Sequence, residues 1–300
     1  MKRVVSVSLG SSSRDHAATI ELLGETISIQ RIGTDGDVRR ARALYMELDG
    51  QVDCLGVGGA VLSIVTMRRT YTMSAVEKLV RDVRQSPVVD GTGFKSVIEL
   101  EMAATIEQEI GAPRERRVLL PSALDRGGMA RSFADAGYAM IIGDLAFGLG
   151  IPVSLHSLAA LERVAGTICP IVRHLPMSML YPTGQDEDQN VPRYQGWFAW
   201  ATVVAGDCNY ITHHMPLDMA GKIIATNTTT PRDVALLRER GVTHLVTSTP
   251  RITGRTYGTN VMEAVMVALA GKGRPLTEPE MRDLLGELGW HPNVEALQTV

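Results

Sequence analysis

The sequence predicts an α/β protein, with an N-terminal mixed α/β domain followed by a Rossmann-like domain built on a parallel sheet. Short apolar runs bounded by glycine or proline recur along the chain, and after residue 117 they alternate with segments of helical composition. Polar loops follow these runs, as is typical of the carboxyl edge of a parallel sheet. We expect the mixed α/β domain at residues 1–112 and the Rossmann-like domain, with C-terminal helices, at residues 113–300.

Composition and charge exclude several classes of protein. The chain of 300 residues is 45% hydrophobic and 21% charged, with a formal net charge of −3. This balance gives no electrostatic footprint for nucleic acid. The apolar stretch 139–153 is interrupted by Asp144 and Pro152, so no membrane span is expected there. The 3 cysteines are far apart and odd in number, which favours a reducing compartment and a cytoplasmic location.

The first domain is predicted from alternating apolar residues and turn signals. A strand at 4–9 precedes a polar loop, and a hairpin turns at Gly24. Asp37 stands at the N-cap position of a helix at 38–48. The remaining elements share apolar periodicity bounded by turn residues: a strand at 52–57, a ribbon at 62–72, a helix at 75–83, a strand at 87–90 and a helix at 96–110.

The second domain is predicted from the alternation of strands and helices. Pro231 is favoured at the first position of a helix, and Thr277 precedes a capped helix. The expected strands are 118–120, 139–142, 202–205, 222–226 and 242–246. The expected helices are 129–136, most of 154–181, 231–240, 260–270 and 277–288, with a polar surface loop at 183–193.

The loop after strand 118–120 has the layout of a dinucleotide-binding unit. Gly127 and Gly128 would let the backbone approach a pyrophosphate at a helix N-terminus. Asp144 follows the next strand, where an acid meets a ribose hydroxyl and favours NAD over NADP. We therefore expect Ser122, Asp125, Gly127, Gly128 and Asp144 to bind the cofactor. The alternatives are a glycine pair that serves packing alone, and an internal ion pair between Asp125 and the arginine beside it.

A second cluster of polar residues lies near the last long helix. Arg251 and Arg255 stand among several hydroxyl side chains just before this helix. Arginines and helix N–H groups together suit a carboxylate or a phosphate. The alternative is a turn-rich loop that caps its own helix. We expect no metal site, since the adjacent His213 and His214 have no third ligand at a suitable spacing.

Six segments of the chain form a recognisable set: VVSVSLGSSSRDH, IGTDGD, VVDGTGFK, SALDRGGMA, GDCNYI and TSTPRITGRTYGTNVMEA. Together they resemble a bacterial family catalogued as quinate 5-dehydrogenase, which is itself remotely similar to shikimate and quinate dehydrogenases. The resemblance covers nearly the whole chain. It implies an N-terminal substrate domain, a C-terminal dinucleotide domain and a last helix that returns to the first domain.

The resemblance also implies roles for individual residues. Those dehydrogenases use a lysine with a nearby aspartate to handle the proton of the hydroxyl that is oxidised. Lys95 stands in the corresponding place, behind a strand and a Gly/Thr loop at the start of a helix, and Asp90 lies just across the glycine turn. Ser11 is similar in position to the substrate-binding serines.

The expected function is therefore NAD-dependent oxidation of a hydroxyl on a small polyol acid such as quinate. One alternative is a protein that binds a dinucleotide or a small anion without catalysis. Another is an actin-like phosphotransferase, because the N-terminal strand, Gly-Ser-Ser loop and hairpin resemble the start of such enzymes. The expected partner is a small molecule, and a homodimer is compatible with the sequence.

Overall fold

A computed structural model describes residues 1–177, 190–250, 252 and 256–298. These residues form a five-stranded sheet, a six-stranded sheet and a separate two-stranded ribbon. Helices pack on the faces of the two larger sheets. The predicted α/β class, with a mixed first sheet and a Rossmann-like second sheet, is confirmed.

The first sheet has the order β2-β3-β1-β4-β7. Strands β1, β3, β4 and β7 are parallel, and β2 joins β3 as an antiparallel hairpin. The hairpin turns through Leu23 and Gly24, which both have positive φ. The strands are β1 (Lys2–Ser8), β2 (His16–Leu22), β3 (Glu25–Gly33), β4 (Cys54–Gly58) and β7 (Val88–Val89).

The second sheet has the order β13-β12-β11-β10-β8-β9. All its strands are parallel except β13, which lies antiparallel on β12. The parallel strands are apolar and almost wholly buried, as expected for strands covered on both faces. The six strands of this sheet are β8 (Arg117–Leu120), β9 (Ala139–Ile142), β10 (Val203–Ala205), β11 (Ile223–Thr226), β12 (His244–Thr247) and β13 (Asn293–Ala296).

The helices follow the predicted alternation closely. Asp37 caps the first helix by accepting from the N–H groups of Arg39 and Arg40, as expected. The helices are α1 (Val38–Leu48), α2 (Ser74–Val80), α3 (Thr92–Ile98), α4 (Met102–Glu109), α5 (Gly127–Asp135), α6 (Leu158–Val172), α7 (Gln195–Trp200), α8 (Cys208–His214), α9 (Pro231–Glu239), α10 (Thr259–Ala270) and α11 (Glu278–Leu288). Short 3₁₀ turns lie at Ser12–Arg14 and Glu99–Glu101, and a π-helical turn lies at Asp144–Gly148.

The C-terminal helices α10 and α11 pack on the first sheet. Val261 and Val265 of α10 share a core with Val4 of β1 and Phe94 of α3. Nearly every side chain of α10 is buried, so this helix needs neighbours on all sides, and the first sheet with α3 and α11 supplies them. The predicted domain boundary at residue 112 places α10 and α11 in the second domain, whereas in the structure they pack on the first sheet.

The chain crosses between the two sheets more than once. Residues 92–109 form one continuous helical segment, in which Phe94 packs in the first core and Met102 and Ile106 in the second. The 3₁₀ turn at Glu99–Glu101 lies between these two parts. After α11 the chain returns to the second sheet as β13. This strand was not predicted, because its residues are only half-buried and carry little apolar alternation.

The connection between β9 and β10 differs most from the predicted elements. The helix expected over most of 154–181 begins after Ser157, which caps it, and ends at Val172. Helices α7 and α8 were not predicted, although Phe198 and Ile211 bury them against the second sheet. Residues 178–189, which hold much of the predicted surface loop, lie outside the described residues. Within the described ranges, no helix combines the length and the apolar character that crossing a membrane requires.

Residues 63–72 form the two-stranded ribbon, which belongs to neither larger sheet. Its strands are β5 (Ser63–Val65) and β6 (Thr70–Thr72). It emerges after the end of β4 and leads into α2, and it agrees in position with the ribbon predicted at 62–72.

Candidate functional site

Each larger sheet has one point where the chain connections leave in opposite directions. In the first sheet this point lies between β1 and β4, and in the second it lies between β8 and β10. Ligands of open α/β sheets bind outside the carboxyl ends of the strands at such points. The loops concerned begin at Leu9, Gly59, Pro121 and Gly206.

Loops at the carboxyl edges of the two sheets lie against each other. The side chain of Lys95, after β7, contacts Asp125, after β8. The charge of Arg14, after β1, acts on Cys208, which follows β10. Charged groups from both carboxyl edges therefore lie close together, and we call this boundary between the two edges the crevice.

Lys95 and Asp125 form the direct ion pair of the crevice. The Lys95 ammonium donates to Asp125 Oδ1 at 2.9 Å and lies 3.4 Å from the Asp125 carbonyl oxygen. Burial would raise the pKa of Asp125, but the charges of Lys95 and Arg126 outweigh it and hold that pKa well below its usual range. The carboxylate is therefore ionised at neutral pH, and Lys95 donates a charge-assisted hydrogen bond to it.

Arg126 extends this pair into a buried network. Its guanidinium donates to Glu99 Oε1 at 3.0 Å and to Asp207 Oδ2 at 2.7 Å, and its Nε lies 3.2 Å from Asp125 Oδ2. Arg126 is 3% exposed and Glu99 is fully buried. Burial raises the pKa of Glu99, and Arg126 opposes that effect. The network joins the turn after α3 to the loops after β8 and β10.

On the side away from Lys95, the network ends at residues Thr226 and Asn227, at the end of strand β11. The Asn227 amide donates to Asp207 Oδ2 at 3.0 Å and accepts at Oδ1 from the hydroxyl of Thr226. Asp207 also caps α8 by accepting from the N–H of Asn209. Each of these residues stands at the carboxyl end of a strand, so the sheet alone brings them together.

Asp90 holds backbone groups in place. Its carboxylate accepts from the N–H of Leu62 at 2.5 Å and from the N–H of Thr92 at 2.9 Å. The ion-pair partner of Lys95 is therefore Asp125, whereas the sequence pointed to Asp90. A catalytic role for Lys95 and Asp90 stays a prediction.

Glu263 of α10 forms a hydrogen bond with the backbone at the start of α3. Its Oε2 accepts from the N–H of Gly93 at 3.1 Å. Burial, followed by the charge of Asp90, raises the pKa of Glu263 to about 7. The C-terminal helix thus positions the helix that carries Lys95.

Ser122 lies on the loop after β8 that was predicted to bind a dinucleotide, and Asp144 follows the next strand, β9. The Asp144 carboxylate accepts from the N–H of Ala123 at 2.9 Å and of Leu124 at 2.8 Å, so both oxygens already have partners. Burial raises the pKa of Asp144 to about 6, against the effect of these N–H groups. The Ser122 hydroxyl is buried without a hydrogen-bond partner among the described residues.

The glycine pair starts α5, and its two members differ in their surroundings. A Cβ on Gly128 would stand 2.8 Å from both Glu99 Cβ and the Lys95 carbonyl oxygen. A Cβ on Gly127 would meet only the Val65 carbonyl oxygen, at 4.0 Å. Gly128 therefore permits the close packing of α5 against α3, which the sequence had left open as an alternative to cofactor binding.

The predicted substrate-binding residues are distributed differently. Ser11 caps a 3₁₀ turn by accepting from the N–H of Ser13, and its carbonyl oxygen accepts from Arg31. Arg31 also binds Asp15, so the charged groups of this loop bind each other. Arg251 and Arg255 lie outside the described residues, and their predicted role stays a prediction.

The sequence missed Glu99, Asp207 and Asn227. Asp207 and Asn227 stand directly after predicted strands, and their position at the carboxyl edge was the available signal. Glu99 gave no signal, because a glutamate within a helical pattern is usually solvated. Among the described residues, no group of three or more His, Cys, Asp or Glu side chains is arranged to hold a metal ion.

Comparisons with known proteins add family matches and weak structural likenesses. Residues 93–297 match the family described as "Domain of unknown function (DUF8754)", and residues 3–90 match "Domain of unknown function (DUF8753)". No curated protein matches the chain.

Similar solved structures include a dehydrogenase and sugar-binding proteins. A hetero-hexameric glutamate dehydrogenase from Thermus thermophilus is 10% identical with a TM-score of 0.42, over 96% of this chain and 73% of that one. GanP, a glucose-galactose binding protein from Geobacillus stearothermophilus, is 10% identical with a TM-score of 0.38, over 99% and 97%. A substrate-binding protein of a sugar ABC transport system from Bordetella parapertussis is 10% identical with a TM-score of 0.37, over 91% and 80%. At these values the likenesses carry no argument about activity.

Proposed function

The chain belongs to the family described as "Domain of unknown function (DUF8754)", and from its geometry we propose that it binds a small hydroxylated acid in the crevice. The observation that carries this proposal is the Lys95–Asp125 pair, which joins the carboxyl edges of the two sheets. Ligand sites concentrate at domain interfaces and at the points where strand order reverses, and this crevice is both.

The chemistry of the crevice indicates the class of ligand. Lys95 and Arg14 supply positive charge that attracts a carboxylate. Asp125 Oδ1 and Asp207 Oδ1 accept from Lys95 and from the N–H of Asn209 respectively, and a carboxylate oxygen with one partner can accept a further bond from a hydroxyl group. A small acid that carries several hydroxyl groups matches both the positive charges and the oxygen acceptors. A large apolar ligand matches neither of these groups.

Calorimetric titration tests this proposal, with quinate, shikimate, gluconate and cyclohexanecarboxylate as probes. We expect hydroxylated acids to bind and cyclohexanecarboxylate, which lacks hydroxyl groups, to bind weakly. Lys95→Met should reduce the affinity at least tenfold, because a charge-assisted bond is lost. The matched control is Lys78→Met, since Lys78 is exposed on α2. Equal affinity in Lys95→Met and Lys78→Met would overturn the proposal.

A second candidate function is the NAD-dependent oxidation of a hydroxyl group on the same ligand. It is favoured by the 2.9 Å pair of Lys95 and Asp125, since a lysine oriented by a carboxylate can exchange a proton with an alcohol oxygen. The α5 loop does not fit NAD as it stands, because Asp144 binds Ala123 and Leu124, and Gly128 is packed against α3. We therefore derive no step through this cofactor.

Titration with NAD, NADP and ATP separates the two candidates. If the second candidate is right, NAD binds and NADH absorbance appears when a hydroxylated acid is added. Lys95→Met should then reduce turnover by about a hundred- to ten-thousand-fold and leave NAD binding intact. Binding of the acid without any NAD affinity would rule out the oxidation and leave the binding proposal standing.

A further inference from the structure

We propose that the ribbon, residues 63–72, is a movable lid over the loop that follows β8. The ribbon extends away from the first sheet and lies against α5 and α6. The Val65 carbonyl oxygen lies 4.0 Å from the position of a Cβ on Gly127, at the start of α5. Ile64 and Leu124 pack in one small cluster, so the ribbon also covers the loop itself.

The ribbon has little stability of its own. It consists of two three-residue strands that pair only with each other. An isolated two-stranded hairpin is marginally stable at best in water. Its place over the loop therefore depends on contacts outside the ribbon, and most of these are made with α6.

Glu162 of α6 holds the ribbon through hydrogen bonds, and we call this residue the latch. Its carboxylate accepts from the hydroxyl of Thr66 at 2.8 Å and from the N–H groups of Met67 at 3.1 Å and Arg68 at 3.2 Å. These three bonds hold the tip of the ribbon, and no other carboxylate among the described residues binds this turn. Because they lie at the surface, they can exchange with water when the tip lifts.

The apolar contact beneath the ribbon is small. Tyr71 packs on Ala165 and Cys169 of α6, with Ile64 and Leu124 at the edge. Ile64, close to the base, also packs on the larger apolar core between the first sheet and α1. Each of the other apolar clusters of the described chain holds at least 13 buried residues, whereas this one holds 3. A segment held by so few buried contacts belongs to the low-stability end of a structure, from which lids are drawn.

The base of the ribbon is anchored beside the first sheet. Met73 N–H donates to the Leu62 carbonyl oxygen, and Leu62 N–H donates to Asp90. The base is therefore fixed to the first sheet, whereas the tip is fixed only to α6. Opening at the tip would expose the loop after β8 and one edge of the crevice.

Cys169 gives a direct measure of opening, because it lies beneath Tyr71. We would label the full chain with iodoacetamide and follow each cysteine by peptide mass spectrometry. Cys169 should react at least about tenfold faster than Cys54, which lies in the core of the first sheet. Equal, slow labelling of Cys169 and Cys54 would overturn the lid.

Variants of the latch sharpen the measurement. Glu162→Ala removes all three tip bonds at a helix position where alanine is favoured, so labelling of Cys169 should rise about tenfold. Glu287→Ala, an exposed glutamate of α11, is the matched control and should leave the rate unchanged. Thr66→Val removes one of the three bonds to Glu162 together with the bonds of this hydroxyl to Arg69 within the turn, so labelling of Cys169 should rise here too. An unchanged rate in Glu162→Ala would show that the ribbon is a fixed connection.

Hydrogen exchange supplies a readout that needs no variant. The amides of residues 63–72 should exchange far faster than those of β4, residues 54–58, which lie in the first sheet. Equal protection of the two segments would contradict the proposal. Neither measurement requires a ligand, so a failure of the proposed function and a failure of the lid can be told apart.

Discussion

Lys95 and Asp125 form an ion pair of 2.9 Å, although the helix of Lys95 packs on the first sheet and Asp125 follows a strand of the second. The pair thus links two sheets whose apolar cores are largely separate. Interfaces of this polar kind permit relative motion of domains. The same pair can therefore respond to a ligand that binds in the crevice.

The first prediction concerns this pair. In Asp125→Asn, the buried Lys95 ammonium keeps a hydrogen-bond partner but loses its charged one. We expect the free energy of unfolding to fall by about 2 kcal/mol, between the values for exposed and buried pairs, because Asp125 is partly exposed. Urea unfolding measures this change. In the matched variant Asp135→Asn, an exposed pair with Arg131 is removed, and the loss should stay below about 0.5 kcal/mol. Equal losses in the two variants would contradict the prediction.

The second prediction concerns Arg126. Replacing it with methionine leaves Glu99 and Asp207 without their charged partner inside the protein. We expect a loss of about 3–5 kcal/mol in the free energy of unfolding, since an uncompensated charge remains buried. The control is Arg131→Met, whose side chain is exposed on α5. A loss in Arg126→Met no larger than in this control would show that the network adds nothing to stability.

The strands could be predicted because their apolar runs are short, buried and bounded by glycine or proline. Val118 to Leu120 illustrates this, since all three residues are fully buried in β8. The placement of α10 could not be predicted from periodicity, because a helix that is apolar all round does not show which sheet it covers. Strand β13 carries only Val294 as an apolar anchor, so its pairing depends on β12 being already in place.

The candidate site was predicted by position more than by role. Asp125 and Lys95 were both identified from the sequence, but as members of separate sites, and the contact between them depends on how the domains meet. Asp144 was expected to bind a ribose hydroxyl, whereas in the structure its oxygens accept from two nearby backbone N–H groups. Such a contact cannot be read from spacing, because a capping acid and a ribose-binding acid occupy the same place after a strand.

The third prediction concerns the pH dependence of stability. Burial raises the pKa of Asp144 to about 6, above the ordinary value of 3.8. The folded state therefore holds this proton more tightly than the unfolded state does. Through this group, the free energy of unfolding should rise by roughly 2 kcal/mol as the pH falls from about 7 to about 4. Asp144→Asn should remove this contribution.

Urea unfolding of both proteins across this pH range tests the sign. The wild-type protein should gain stability relative to Asp144→Asn as the pH falls. The comparison cancels other titrating groups, such as His214, whose pKa is lowered to about 4 chiefly by burial and which acts in the opposite direction. Asp283→Asn, at an exposed position of α11, should show no such trend. If the wild-type protein instead lost stability relative to Asp144→Asn as the pH fell, the assignment would be refuted.

The last prediction separates packing from cofactor binding at the two adjacent glycines of α5. A methyl group on Gly128 would lie 2.8 Å from Glu99 Cβ and from the Lys95 carbonyl oxygen, and neither atom belongs to a flexible side-chain end. Gly128→Ala should therefore push α5 from α3 and cost about 1–3 kcal/mol in the free energy of unfolding. Gly127→Ala meets nothing closer than 4.0 Å and should be neutral or stabilising by up to about 1 kcal/mol.

The same two variants test the cofactor prediction when NAD affinity is measured beside stability. If Gly127 lets a pyrophosphate approach the backbone, Gly127→Ala should weaken NAD binding at least tenfold while the protein remains fully stable. If the pair serves packing alone, only Gly128→Ala should have an effect, and that effect should be on stability. A stable Gly128→Ala protein would contradict the packing role, because the helices could then meet without this glycine.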